Sequence, residues 1–169
     1  HLIKKNNCPD KIIINTDDQY NTFQKFAEWK KDELIKLPSF RFNKTNNICA
    51  GYIFLPINFF SIDKIIKEVK TLHELYNLNN FKIKMHPESK YVRKHINLKN
   101  KIKKIIYNNT SQNSFDKEFS IFIGSTSSII EALNKKLDVY HIMENVELEI
   151  YSKLFWPNIK SKFISDRIV

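Results

Sequence analysis

The run Phe119-Ser120-Ile121-Phe122-Ile123-Gly124-Ser125-Thr126-Ser127-Ser128-Ile129-Ile130-Glu131-Ala132-Leu133 decides how the chain is read. Its first five residues make a compact, mostly apolar strand of the kind a sheet buries on both faces. Gly124 to Ser128 breaks that strand. Ile129, Ile130, Leu133 and Leu137 then recur at helical spacing, so a helix is expected to run to about Leu137. Strand, tight turn and helix form the repeating unit of a parallel sheet. Downstream, Asp138–Ile142 reads as the next strand, and a further helix is expected over residues 144–155, stopped near Pro157.

Upstream the same alternation recurs. Residues 11–15 read as a strand, and Asp17 or Asp18 is placed to cap a helix through about Leu37. Tyr20, Phe23, Phe26, Ala27, Leu34 and Ile35 would line its inner side, with Pro38 as the stop. After a polar connector over residues 41–47, residues 48–56 form a nearly all-apolar strand. Ser61 can cap the clearest helix of the chain, where Ile62, Ile65, Ile66, Val69, Leu72, Leu75 and Tyr76 share helical spacing. Residues 81–85 alternate as a strand that ends in His86-Pro87. Residues 91–100 are ambiguous, a short helix at most; 103–107 are a strand candidate, and 108–117 a polar loop or short helix. No repeat or low-complexity linker interrupts the chain, so the expectation is a single α/β domain over residues 1–169.

Of the 169 residues, 42% are apolar and 13% aromatic, which is enough to build a core and excludes a disordered chain. The chain opens on His1 rather than Met, so a longer parent with a partner domain is expected. A net charge of +10 suits nucleic acid, an anionic membrane surface or a phosphorylated ligand, as well as a plainly solvated lysine-rich surface. No recognised RNA- or DNA-binding motif accompanies it, so nucleic acid is not expected as a partner. Cys8 and Cys49 match neither a metal spacing nor a disulfide framework, which points to a reducing, cytoplasmic setting. The longest charge-free stretch, residues 46–62, carries Pro56 and Asn58 and falls short of the roughly 20 apolar residues a bilayer needs. Any association with the inner membrane would be peripheral.

In an open parallel sheet, ligands bind at the carboxyl ends of the strands, beside helix N-termini. Two strand ends stand out. Gly124 is one of only two glycines, and in a strand-to-helix turn it permits positive φ and close approach of backbone to ligand. Ser125, Thr126, Ser127 and Ser128 would add hydroxyls to the amides of the first helical turn, an arrangement that suits an anion. Ser128-Ile129-Ile130-Glu131 also has the form of a capping box, which needs no ligand, and both readings stand. At the other strand end, His86 can donate to a phosphate oxygen near neutral pH, and Pro87 turns the chain out of the strand beside it. One strand-helix-strand excursion separates the two sites, which would put both on one sheet edge, where they could share a ligand.

His86-Pro87, within Lys82-Ile83-Lys84-Met85-His86-Pro87, followed by Ser127-Ser128 in the opening run, resembles the HP and Ser/Thr-Ser motifs of bacterial sialyltransferases. The likeness covers residues 48–142 and is to the donor-binding domain of two-domain (GT-B) glycosyltransferases. It implies a Rossmann-like, mostly parallel sheet flanked by helices, forming half of a GT-B architecture. It also implies a CMP-linked sugar as donor, with no metal cofactor, in the assembly of surface polysaccharide or lipooligosaccharide. In that reading His86 is the electrostatic or acid partner of the leaving phosphate. Ser127 and Ser128 are its hydroxyl clamp, with Ser125 and Thr126 as substitutes and Pro87 and Gly124 shaping the site. The catalytic base and the glycan acceptor belong to a missing N-terminal domain, so this chain alone would be inactive. Two positions depart from the pattern: Lys136 stands where related enzymes have glycine after the helix, and Asp138 where they often have proline. A related reading takes a CDP- or UDP-linked donor. A reading from another class makes the chain a degenerate, non-catalytic module for attachment or oligomerisation.

The remaining candidates favour bland roles. The lysines of residues 99–104 read as a solvated strand and turn, although they could also meet phosphates or an acidic membrane. His95 and His141 are read as structural or surface residues, and His73 as half-buried on its helix. Trp29, Tyr151, Phe155 and Trp156 read as core or interdomain contacts, and the carboxylates of residues 144–149 as an exposed helix face.

Overall fold

The computed structural model describes residues 8–37, 48–59, 61–107, 118–126, 128–145 and 159–169. The chain divides into two units, His1–Asn47 with Ile150–Ser161, and Ile48–Glu149 with Lys162–Val169, where the sequence reading sets no boundary.

In the first unit, β1 (Ile12–Ile14) and β2 (Leu34–Lys36) pair in parallel, with Ile12 opposite Leu34. Between them α1 spans Asp17–Phe26, and a 3₁₀ turn spans Lys31–Glu33. Thr16, not an aspartate, caps α1 by accepting the Gln19 amide at 3.1 Å, and Asp17 and Asp18 follow in the first turn. The expected helix through Leu37 ends eleven residues early. Glu28 takes a positive φ, and the charged run Lys30-Lys31-Asp32-Glu33 gives a continued helix no apolar face to bury. Ile14, Ala27, Trp29 and Leu34 form the small core, while Phe26 and Ile35, assigned to the inner side by periodicity, are exposed.

The second unit is built on a four-stranded parallel sheet. Its strands are β3 (Tyr52–Phe54), β4 (Lys82–Lys84), β5 (Phe119–Ile123) and β6 (Asp138–Ile142), in the order β4-β3-β5-β6. The chain's end lies antiparallel along β6: the His141 amide donates to Val169 O at 2.7 Å and the Val169 amide returns a bond at 3.1 Å. That pairing covers an edge which would otherwise invite association. α2 (Ile62–Tyr76) and α3 (Arg93–Ile106) pack against each other and join Ile53, Ile121, Ile123 and Ile142 in one core. By strand alternation, Phe54 and Phe122 point to the opposite face, where their rings stack at 4.5 Å. β5 connects to β6 through α4 (Ser128–Asn134). Near the amino end of the sheet, Tyr76, Phe119 and Tyr140 cluster, and burial, then the Tyr76 hydroxyl, push the Tyr140 phenol well above its usual range.

Residues 103–107 are not a strand. Leu98, Ile102 and Ile106 recur at four-residue spacing and are all buried, so packing against α2 overrides the local β preference of a Lys-Ile-rich run. The short helix suspected over 91–100 is therefore the first part of a fourteen-residue one. The stretch 108–117, most of 144–155 and the aromatic residues Tyr151, Phe155 and Trp156 lie outside the described residues. Among the described residues no helix is long and apolar enough to cross a membrane.

α4 closes in a Schellman motif: the Leu137 amide reaches Ala132 O at 3.1 Å and the Lys136 amide reaches Leu133 O at 2.9 Å. This places Lys136 at φ +58, the position where the resemblance anticipates glycine. Lys136→Gly is therefore expected to stabilise the protein by about 0.5–1 kcal/mol, read as a raised urea midpoint at unchanged slope. A loss of stability would show that the left-handed turn is not what limits this helix end.

Candidate functional site

The register fixes what stands at the carboxyl rim. Lys84, Phe54 and Phe122 lie opposite one another across β4, β3 and β5. Two residues further on, His86, Pro56 and Gly124 leave those strands in the same order, so the three stand at one level. The chain moves from β3 outward to β4 and then back across to β5 on the other side. The end of β3 is thus the topological switch point, the usual place for a ligand in such sheets.

His86 and Gly124 share one rim, as the spacing implies, but they do not leave adjoining strands. β3 lies between β4 and β5, so the two backbones are about 10 Å apart at the spacing of neighbouring strands. A phosphoryl group could touch both only if side chains reach it from each side over Pro56. Pro56 has no amide hydrogen and so offers no backbone donor of its own at this rim.

Partly exposed, His86 opens a 3₁₀ turn over Pro87–Ser89, and the Ser89 amide donates to His86 O at 2.9 Å. Its Nδ1 accepts the Glu88 amide at 3.3 Å, which leaves the hydrogen of a neutral ring on Nε2 as a donor. Pro87 supplies the fixed φ that starts this turn.

Gly124 is buried at φ +66. A Cβ there would sit 3.2 Å from Pro56 Cβ, so the residue is required by conformation and by space together. Its amide donates to Ile142 O at 2.8 Å, and its carbonyl accepts from the buried His141 Nε2 at 3.1 Å. Both backbone groups therefore serve the fold. Ser125 is exposed, while Thr126 and Ser128 are partly buried. The first turn of α4 is held by Thr126, whose hydroxyl accepts the Ser128 amide at 3.3 Å and whose carbonyl accepts the Ile129 amide at 3.2 Å. This differs from the capping box expected of Ser128 and Glu131. Glu131 is instead buried, with its Oε1 3.5 Å from Lys135 Nζ. Ser127 lies outside the described residues.

His95, read from the sequence as structural or surface, is structural here, and it shapes the same rim with Lys94 and Arg167, to which sequence reading assigns no individual role. His95 Nε2 donates to Ile57 O at 2.7 Å, and Lys94 Nζ donates to Phe59 O at 2.6 Å while lying 4.4 Å from the Phe59 ring centroid. Together they tie the loop after β3 to the first turn of α3. Arg167 donates through one guanidinium nitrogen to Met143 O at 3.2 Å and Glu144 O at 2.8 Å, bracing the exit from β6. Lys94 opens an amphipathic helix, the one sequence signal that points to its role. For Arg167, nothing in its sequence surroundings signals the role. Among the described residues no group of His, Cys, Asp or Glu side chains is placed to hold a metal ion.

No family model matches the chain, and neither a curated protein nor a solved structure matches it.

Proposed function

We propose that the unit built on the four-stranded sheet is the donor-binding domain of a glycosyltransferase. It takes a nucleotide-linked sugar at its carboxyl rim, with a CMP-linked sialic acid as the first candidate. The observation that carries this reading is the placement of His86 and the Gly124 turn on either side of the β3 end, at the switch point of an all-parallel sheet. The chemistry asks for donors around a phosphate. As the glycosidic C–O bond breaks, its electron pair stays on the phosphate oxygen. The acceptor hydroxyl forms the new bond and gives its proton to a base outside this chain. Donors fixed beforehand around that oxygen stabilise the transition state more than the ground state. His86 Nε2–H serves from one side. From the other come Ser125, Ser127 and Ser128, with Thr126 contributing while it caps α4. A CDP- or UDP-linked donor uses the same phosphate contacts.

The test is thermal. CMP, CDP and UDP are added to the chain at about a hundred times their dissociation constant, where binding contributes roughly 2.7 kcal/mol. For a chain of this size that raises Tm by about 5–10 °C. One of the three is expected to do so, and His86→Ala is expected to abolish the shift while lowering the unliganded Tm by no more than about 2–4 °C for the Glu88 bond it loses. A folded chain that ignores all three nucleotides would instead be the transferase-like module without activity. A shift that survives His86→Ala would remove the histidine from the site.

A further inference from the structure

We infer that the outward face of α3 is a docking surface for an anionic lipid bilayer, a property separate from the donor site proposed above. α3 carries Arg93, Lys94, Lys99, Lys101, Lys103 and Lys104 and not one acidic residue. Its inner side is spoken for: His95, Leu98, Ile102 and Ile106 are buried. On the opposite side Arg93, Asn97, Asn100 and Lys104 recur at helical spacing and are all exposed. Cations in the first turn oppose the helix dipole, and Val92 supplies no side-chain cap there. Helix stability therefore does not explain Arg93, whereas Lys103 and Lys104 also suit the carboxyl end of the helix, Lys94 bonds Phe59 O and Lys101 pairs with Asp63. An anionic surface suits the exposed face as a whole.

The apolar residues choose between the two polyanions that such a surface could meet. Tyr91 is 92% exposed, Ile96 is 40% exposed and Val92 44%, all at the amino end of α3, and Tyr107 is exposed at the other. Arg93, Lys94, Ile96, Asn97 and Asn100 line an open groove of about 710 Å³. Aliphatic groups such as Ile96 and Val92 have no role against phosphodiester backbones, whereas interfacial helices bury such groups at the acyl boundary and keep tyrosine at headgroup depth. The cations between them then meet the lipid phosphates, each worth a severalfold gain in partitioning near an anionic leaflet. The amino end of α3 follows the His86 turn, so a docked helix would hold the carboxyl rim of the sheet near the membrane.

The experiment sediments the full chain with vesicles, using phosphatidylcholine alone or with about one third phosphatidylglycerol, at low and physiological salt. The chain is expected to bind only the anionic vesicles, more weakly as salt rises. Replacing Arg93, Lys103 and Lys104 together by glutamine should lower the partition coefficient about a hundredfold. Tyr91→Ser with Ile96→Ser should lower it about tenfold at unchanged charge. All five positions are exposed, and unchanged circular dichroism melting would confirm that the variants fold. Absence of binding to anionic vesicles overturns the proposal. So does binding that the glutamine variant retains, or binding indifferent to the Tyr91 and Ile96 changes and displaced by a short DNA duplex, which would assign the face to nucleic acid.

Discussion

Gly124→Val is expected to destabilise the protein by about 2–4 kcal/mol and to remove whatever ligand the carboxyl rim holds. Two physical terms add. A residue with a Cβ held at φ +66 costs about 1–2 kcal/mol, and a branched one sits at the upper end. The new Cβ would also stand 3.2 Å from Pro56 Cβ, and crowding at this one tight contact costs about 1–2 kcal/mol, the lower part of what overpacking costs. Pro56 cannot give way easily, because it is buried and ends the central strand. Relief would have to come from rotating the turn, which breaks the 2.8 Å bond from the Gly124 amide to Ile142 O or the His141 contact to its carbonyl. Tm should fall by about 5–15 °C, and Gly124→Ala should lose roughly half as much. A drop below about 0.5 kcal/mol for valine would show that the turn does not need its left-handed conformation.

The elements legible in the sequence are those whose burial is one-sided and local. Phe119–Ile123 and Asp138–Ile142 are found as read because each apolar run is bounded by a polar or glycine stop. α2 is found because Ser61 caps it and Ile65, Val69 and Leu72 repeat on one face before Asn77 turns left-handed. The failures share a cause. In residues 30–36 and 103–107, a few β-branched or charged residues are compatible with either period, and a partner distant in sequence decides. Leu34 becomes a strand residue because β1 lies beside it, and Ile106 a helical one because α2 does.

The candidate site was legible as two strand ends and only partly in arrangement. Spacing implied that His86 and the Gly124 turn share an edge, and parallel pairing places them there. No local signal could show that β3 separates them, because strand order is a property of the whole sheet. Nor could it show that Thr126 takes the capping role assigned to Ser128, since the choice depends on which hydroxyl the turn presents to the Ser128 amide. Arg167 is the clearest omission. It lies far from either motif in sequence and reaches the rim only because the chain's end pairs with β6.

Phe122→Ala carries the largest stability change expected of any single substitution here, about 3–5 kcal/mol. The ring is fully buried and lies almost parallel to Phe54, with centroids 4.5 Å apart. Removing it forfeits the transfer energy of an aromatic side chain, leaves a cavity, and ends a stacking contact worth about 0.5–1.5 kcal/mol. Phe54, over whose ring the Lys84 ammonium lies at 5.4 Å, would lose the ring it stacks on. Domains of ordinary stability hold about 5–15 kcal/mol, so roughly a fifth or more would go. The urea midpoint should fall by about 2 M. Phe122→Leu, which keeps most of the volume, should cost about 1–1.5 kcal/mol. Because Phe54 and Phe122 immediately precede the segments carrying Pro56 and Gly124, the loss should also loosen the rim. The Gly124 amide should exchange with solvent faster in the alanine variant, beyond what global destabilisation accounts for. If that amide keeps pace with the rest of the sheet, the stacked rings support the core but not the turn above it.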